Sequence, residues 1–267
     1  MRVSLRRAIF FTLILSFLNS SRVFAIPLTE ESLISELPNS KLGLVLKQAL
    51  FSYGHIQDYR AFFHKREAAA NGTLGEPEKI YLKFEKPWKI YLGWLNTAKK
   101  GLQVVYERGR HDGKLAIHKP GFFLGLAPVI FLDQKSPWVR QGSASYNIED
   151  AGIGTFLFDF TRAVIKASRE NQLQVNFQGK TAERDLNGDK VEVVFKVSEN
   201  NPDYFAHRIV TVFDEKTRLP VYMELFDWNN RQTGVYAYRD LQVNVGEKDN
   251  EFKSQIDRHL LRVYQGN

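Results

Sequence analysis

From Tyr59 onward the spacing of apolar residues changes from three or four to two. No other feature constrains the fold as strongly, because residues two apart share a face of a strand, whereas residues three and four apart share a face of a helix. The period-two segments come in two series. The first comprises Asp58 to Glu67, Lys79 to Glu85, Lys89 to Leu95, Gln103 to Arg108 and Lys114 to His118; the second comprises Gln172 to Gly179, Lys190 to Ser198, Ala206 to Asp214, Pro220 to Asp227 and Gly234 to Val245. Turn residues at Gly72 to Gly75, Lys86-Pro87, Lys100-Gly101 and Asp112-Gly113 separate the first series. Connections this short favour antiparallel meanders, since parallel neighbours need crossovers of about a dozen residues or more.

Helical spacing precedes and divides the two series. Pro27 to Phe51 reads as helical with a break near Pro38, and Ser40 to Tyr53 places Leu42, Val45, Leu46, Ala49 and Leu50 on one face. A longer helix is expected from about Ile148 to Arg169, opened by Asn147 and Asp150 in a capping-box-like arrangement. Its wide apolar face is Ile153, Phe156, Leu157, Phe160, Val164 and Ala167. Before it lies Pro120 to Leu132 (PGFFLGLAPVIFL), whose two glycines and two prolines argue against both a stable helix and a regular strand. A short amphipathic helix, Phe252 to Tyr264, is expected to close the chain. With no repeat unit and no shift of composition, residues 26–267 read as one domain of α+β class.

Residues 1–25 read as a secretory signal: Arg2, Arg6 and Arg7, then apolar Ala8 to Leu18, then Val23-Phe24-Ala25 at the cut. The apolar run is roughly half the ~20 residues that span a bilayer. The expected product is therefore a soluble periplasmic protein. The chain has 0 cysteines, so neither a disulfide nor an N-terminal lipidated cysteine is available to it. The formal charge of +7 suggests nucleic acid, yet removing Arg2, Arg6, Arg7 and Arg22 from the 37 basic residues leaves 33 against 30 acidic ones. Lysines alternate with glutamates instead of forming a basic stripe, which excludes a nucleic-acid partner on composition.

Two segments are more specific. In Ile80 to Trp94 (IYLKFEKPWKIYLGW), Ile80, Leu82 and Phe84 share a face before Pro87, and Trp88, Ile90, Leu92 and Trp94 share one after it; Lys83, Glu85 and Lys89 take the other side, which is expected to be wet. In Phe213 to Val245, Asp214 to Thr217 forms a turn and Leu219-Pro220 starts a strand, where proline is tolerated. At these residues the chain resembles the lipoprotein-carrier superfamily of the Gram-negative periplasm, the LolA-like and RseB-like proteins. More narrowly, LKFEKPWKIYLGW, GLQVVYERGRHDGKLAIH and Ala151-Gly152-Ile153-Gly154 are similar to an exported bacterial domain-of-unknown-function family. The resemblance implies an incomplete, curved antiparallel β-barrel, a half-barrel, packed on helices around an apolar cavity. An apolar-faced sheet beside a helix with a wide apolar face leads to the same packing without it.

On this reading Phe84, Trp88, Ile90, Leu92, Trp94, Val104, Tyr106, Phe156, Phe160, Met223 and Leu225 line a cavity for lipid or for the acyl chains of lipoproteins. Phe122, Phe123, Leu124, Ile130 and Phe131 form a mobile apolar segment at its mouth. A filled core beneath a loop satisfies the same pattern, and would suit an RseB-like module that binds inner- or outer-membrane envelope proteins and carries no cargo. No cofactor is expected, and the protein is expected to be a monomer. DLNGDK places Asp185, Asn187 and Asp189 at alternate calcium-loop positions, but Lys196 stands where the bidentate glutamate belongs, so a hairpin turn is expected. The six histidines, at 55, 64, 111, 118, 207 and 259, form no HExxH, and no G-x-S-x-G or phosphate loop is present, so neither a metal centre nor catalysis is expected. Mass spectrometry of the protein recovered from outside the cytoplasm is expected to find Ile26 at its N-terminus. A chain that keeps Met1 would make Ala8 to Leu18 an anchor.

Overall fold

The structure is a computed structural model that describes residues 30–69, 72–119, 129–136, 148, 152–181, 186–199 and 201–246. The signal segment, the C-terminal stretch from 247, Phe122, Phe123, Leu124, Asn147, Asp150 and Asp185 lie outside the described residues. Helix α1 (Glu30–Glu36) stops ahead of Pro38, and the Ser40 hydroxyl accepts from the Gly43 amide at 3.1 Å to start α2 (Lys41–Gly54). This cap satisfies one of the amides that a helix start leaves unpaired.

The first meander is β1 (Asp58–Glu67), β2 (Glu78–Glu85), β3 (Lys89–Trp94), β4 (Gln103–Glu107), β5 (Leu115–His118) and β6 (Val129–Leu132). After α3 (Ile153–Arg169) comes the second: β7 (Leu173–Thr181), β8 (Gly188–Phe195), β9 (Arg208–Asp214), β10 (Pro220–Phe226) and β11 (Gln232–Val243). All neighbours are antiparallel, and β1 pairs with β11 to join the meanders into one 11-stranded open, curved sheet of order β6-β5-β4-β3-β2-β1-β11-β10-β9-β8-β7. The half-barrel on helices expected from the sequence is thus the architecture found.

Register sorts the side chains into faces. One inner row crosses the first meander through Ala61, Leu82, Leu92, Val104, Ile117 and Ile130. Another crosses the seam through Phe177, Val191, Thr211, Met223, Tyr236, Lys65 and Glu78. The buried face of α3, with Ile153, Leu157, Phe160 and Val164, packs with these rows and α2 into one core cluster.

Three expectations need correcting. Val129 to Leu132 is a regular strand: both prolines of the segment precede it, so each of its residues keeps an amide for the β5 ladder. The long helix begins at Ile153 with Gly152 as its N-cap and no side-chain cap of its own. The outer face of β2 to β5 is not wet, since Lys83, Lys89, Tyr91, Gln103 and His118 are all buried there. Neighbours on that face meet one another: the Lys83 ammonium lies 5.7 Å from the Tyr81 ring, Lys89 Nζ lies 3.5 Å from Glu85 Oε2, and the Tyr91 ring lies at Gly93, whose absent Cβ would sit 2.8 Å from the Tyr91 hydroxyl.

The start of α3 is held from outside the helix. The fully buried Tyr59 hydroxyl accepts from the Ile153 amide at 3.1 Å, and Tyr53 from the end of α2 lies where a Cβ on Gly154 would come within 2.1 Å of its hydroxyl. Two glycines one residue apart therefore form a seat for two tyrosines. Burial pushes the phenol pKa of Tyr53, Tyr59 and Tyr238 upward, so all three stay neutral. Tyr59→Phe leaves the Ile153 amide without this acceptor and is expected to cost about 1–3 kcal/mol in urea unfolding. Gly154→Ala forces Tyr53 aside and is expected to cost about as much, 1–3 kcal/mol; an unchanged midpoint in both would show that the helix start is held elsewhere.

Candidate ligand-binding face

The structure brings the eleven predicted cavity residues together in one apolar cluster. Phe84, Ile90 and Tyr106 form a row beginning at Tyr59, Leu92 and Val104 the next, and Trp94 follows from Phe63 and Ile80. Met223 and Leu225 reach the same face from β10, and Phe160 approaches from α3 with its ring 6.5 Å from Phe195. These nine are buried members of one cluster, against which half-buried Trp88 and Phe156 pack. Trp88 meets Phe84 edge-on at 5.3 Å, and Phe156 stacks on Phe160 at 5.4 Å.

The predicted apolar segment is divided. Ile130 belongs to the inner row of Leu92 and Val104, whereas Phe131 faces outward, 47% exposed, with its ring 4.6 Å from that of His111. Adjacent residues of a strand point to opposite faces, so the two cannot act on one mouth together.

Sequence reasoning passed over the polar end of the inner face. Lys65 and Glu67 follow Tyr59, Ala61 and Phe63 in phase on β1, and Lys65 stands opposite Glu78 on β2. Lys65 Nζ lies 3.0 Å from Glu67 Oε2 and 3.9 Å from Glu78 Oε2; Lys99 Nζ donates to Glu78 Oε1 at 2.6 Å, Trp94 Nε1 to Glu78 Oε2 at 2.7 Å, and the Tyr236 hydroxyl to Glu67 Oε1 at 3.1 Å. The readable signal was parity: odd positions on β1 are apolar to Phe63 and charged afterwards. Burial pushes the Glu78 pKa upward, but the hydrogen bonds from Lys99 and Trp94 and the charge of Lys65 outweigh it and hold the carboxyl below its ordinary value. Deeper in, the Thr211 hydroxyl is fully buried between Val191 and Met223 with no hydrogen-bond partner.

A cleft of about 410 Å³ opens elsewhere, between α1 and α3, lined by Leu33, Glu36, Arg162, Ile165, Lys166, Arg169 and Glu170. None of the predicted cavity residues borders it. Its charges pair across its rim, Arg169 with Glu36 at 3.0 Å and Lys166 with Glu170 at 2.7 Å. In the described part of DLNGDK, Asn187 Nδ2 donates to Glu215 Oε2 at 3.1 Å. Among the described residues no three metal-ligating side chains converge, and no helix is long and apolar enough to cross a membrane.

An open antiparallel sheet wrapped on helices, with an apolar inner face ending in paired charges, defines the class of protein. The chain belongs to the family described as "Protein of unknown function (DUF1571)", which matches residues 56–259. No curated protein matches it in sequence. Among solved structures it is similar to a putative outer membrane lipoprotein-sorting protein domain from Vibrio parahaemolyticus, with 12% identity, a TM-score of 0.36, and coverage of 81% of this chain and 97% of that one. It is also similar to the lipoprotein LppX of Mycobacterium tuberculosis (7% identity, TM-score 0.45, 82% and 98% coverage) and to MucB of Pseudomonas aeruginosa in its complex with MucA (12% identity, TM-score 0.44, 79% and 59% coverage).

Because the folded-state pKa of Glu78 is depressed, its ionisation stabilises the fold above the ordinary value of 4.5, and that contribution is lost as pH falls through the lower folded value. Urea midpoints measured from neutral pH downward are expected to fall less steeply below pH 4.5 in Glu78→Gln than in the parent. Equal slopes would mean that the rim cluster adds no acid-sensitive stability.

Proposed function

We propose that this chain is an exported, soluble binding protein that holds lipid, or the acyl chains of lipoproteins, against the inner face of its sheet. The observation that carries the reading is the gradient along the row Phe177, Val191, Thr211, Met223, Tyr236, Lys65 and Glu78, which passes from apolar side chains to paired charges. An amphiphile has the same gradient. Each methylene removed from water contributes roughly 0.8 kcal/mol, which suits a long chain to the apolar part. Lys65 and Lys99 then offer ammonium donors to an anionic head, and the unpartnered Thr211 hydroxyl offers a hydrogen bond along the way. The role is binding, not catalysis, and its setting is the periplasm.

A second reading rests on β6. It ends the sheet, and Val129 and Phe131 are exposed on its outer side, so an extended segment of an envelope protein could add a strand there. In that case no cargo occupies the inner face.

Solvent extraction of the protein purified from its producing cells is expected to release lipid in molar proportion to protein. The delipidated form is expected to take up a fluorescent fatty acid saturably, and Lys65→Ala with Lys99→Ala to weaken that uptake about ten-fold, or roughly three-fold per lost ion pair. Protein that yields no lipid and takes up no fatty acid would reject the carrier reading.

A further inference from the structure

Helix α2 presents a face that the core does not use. Its buried side is Leu42, Leu46, Ala49, Leu50 and Tyr53. On the opposite side Leu44 and Phe51 are 53% and 63% exposed, the two most exposed large apolar side chains among the described residues. They lie two helical turns apart, about 10 Å along the axis. Folding gains little from side chains left in water, so their presence at the crest of an amphipathic helix calls for an apolar neighbour outside the chain.

Charge identifies the neighbour. From Pro38 to Gln57 the sequence contains no aspartate or glutamate, while Lys41 and Lys47 lie on either side of the Leu44–Phe51 ridge. At the C-terminal end of the helix Lys86 Nζ donates to the Tyr53 carbonyl at 2.7 Å, and the acid facing it is Glu30 at 3.9 Å. On adjacent α1, Glu36 pairs with Arg169 on α3 at 3.0 Å. An apolar ridge flanked by lysines, without carboxylates of its own, is the pattern of a helix that lies in the interface of an anionic bilayer.

We propose that α2 is a membrane-docking element, with Leu44 and Phe51 entering the headgroup region of an anionic lipid surface while Lys41 and Lys47 meet its phosphates. The site goes beyond the carrier reading; it meets the inner row only through Lys41, whose Nζ lies 4.1 Å from the ring of Phe177. It would hold the open sheet at a bilayer without a spanning segment.

Co-sedimentation with vesicles tests it, using the protein as it accumulates in producing cells, and comparing pure phosphatidylcholine with phosphatidylcholine containing about one third phosphatidylglycerol. The parent is expected to sediment with the anionic vesicles and much less with the neutral ones. Leu44→Ser with Phe51→Ser should reduce binding to anionic vesicles about ten-fold or more, and Lys41→Glu with Lys47→Glu about five-fold per lysine or more. Phe51→Trp should retain it. All four positions are at the surface of α2, and matched thermal melts confirm that the variants fold. Equal sedimentation of parent and serine variant, equal binding to both vesicle types, or no vesicle binding by the parent would each overturn the proposal, the last including the case in which a protein covers this face instead. Fatty-acid uptake measured without vesicles separates the two readings. Uptake preserved in the serine variant leaves the carrier reading standing whichever way the vesicles decide, whereas absent uptake with vesicle binding as expected rejects the carrier and keeps the docking helix.

Discussion

The pairing of β1 with β11, from Tyr59 opposite Val243 to Glu67 opposite Gly234, is the interaction on which the rest of the molecule depends. Each meander is local, with every strand paired to the one before it. Among the described strand pairings only the seam joins residues separated by most of the chain, and closing a loop of that length costs on the order of 4–5 kcal/mol in chain entropy from its length dependence. The inner row through Thr211, Met223, Tyr236, Lys65 and Glu78 exists only because this ladder is in register. A slip of one residue would turn Tyr59, Ala61 and Phe63 outward.

The seam also positions the helices. Tyr59 is the first residue of β1 to pair with β11, stacks on Phe84 at 5.0 Å, lies edge-on to Tyr238 at 6.5 Å, and caps α3 with its hydroxyl. One side chain thus ties both meanders to the helix that covers them. At the other end of the same strand Lys65 and Glu67 replace apolar residues, so the inner face is closed by helix and tyrosines at one end and rimmed by charge at the other. That polarity is the ground on which binding of an amphiphile is proposed. The outward ridge of α2 would bring the same body to the surface where amphiphiles are found.

Much of the fold was legible because period-two spacing is local. The bounds of β1 and β10 were readable to within a residue, since Asp58 and Pro220 mark their starts and period-two spacing follows each. β6 was hidden because its four residues, VIFL, are apolar without alternation and follow a stretch rich in glycine and proline. The start of α3 was misplaced because its cap comes from Tyr59, distant in sequence, and a cap search examines only neighbours. The lysines of the outer face were expected in water, since a polar residue in an alternating strand ordinarily points there. Lys83 and Lys89 are instead buried, with Tyr81 beside the first and Glu85 beside the second on the same face.

The candidate site divides in the same way. The strand residues predicted to line the inner face were chosen by parity and apolar character, Phe156 and Phe160 by helical spacing, and Ala151-Gly152-Ile153-Gly154 by its resemblance to a family. By itself the sequence determined ten of the eleven strands, which face their residues would present, and that a helix with a wide apolar face had to cover one of them, because these follow from the geometry of the backbone and the removal of apolar surface from water. Only the tertiary structure decided that β1 meets β11, that two glycines receive two tyrosines, that Lys65 comes to lie by Glu78 and Lys99, and that Leu44 and Phe51 are left outside. Those outcomes depend on which distant segments pair and in what register, and no local pattern of residues carries that information.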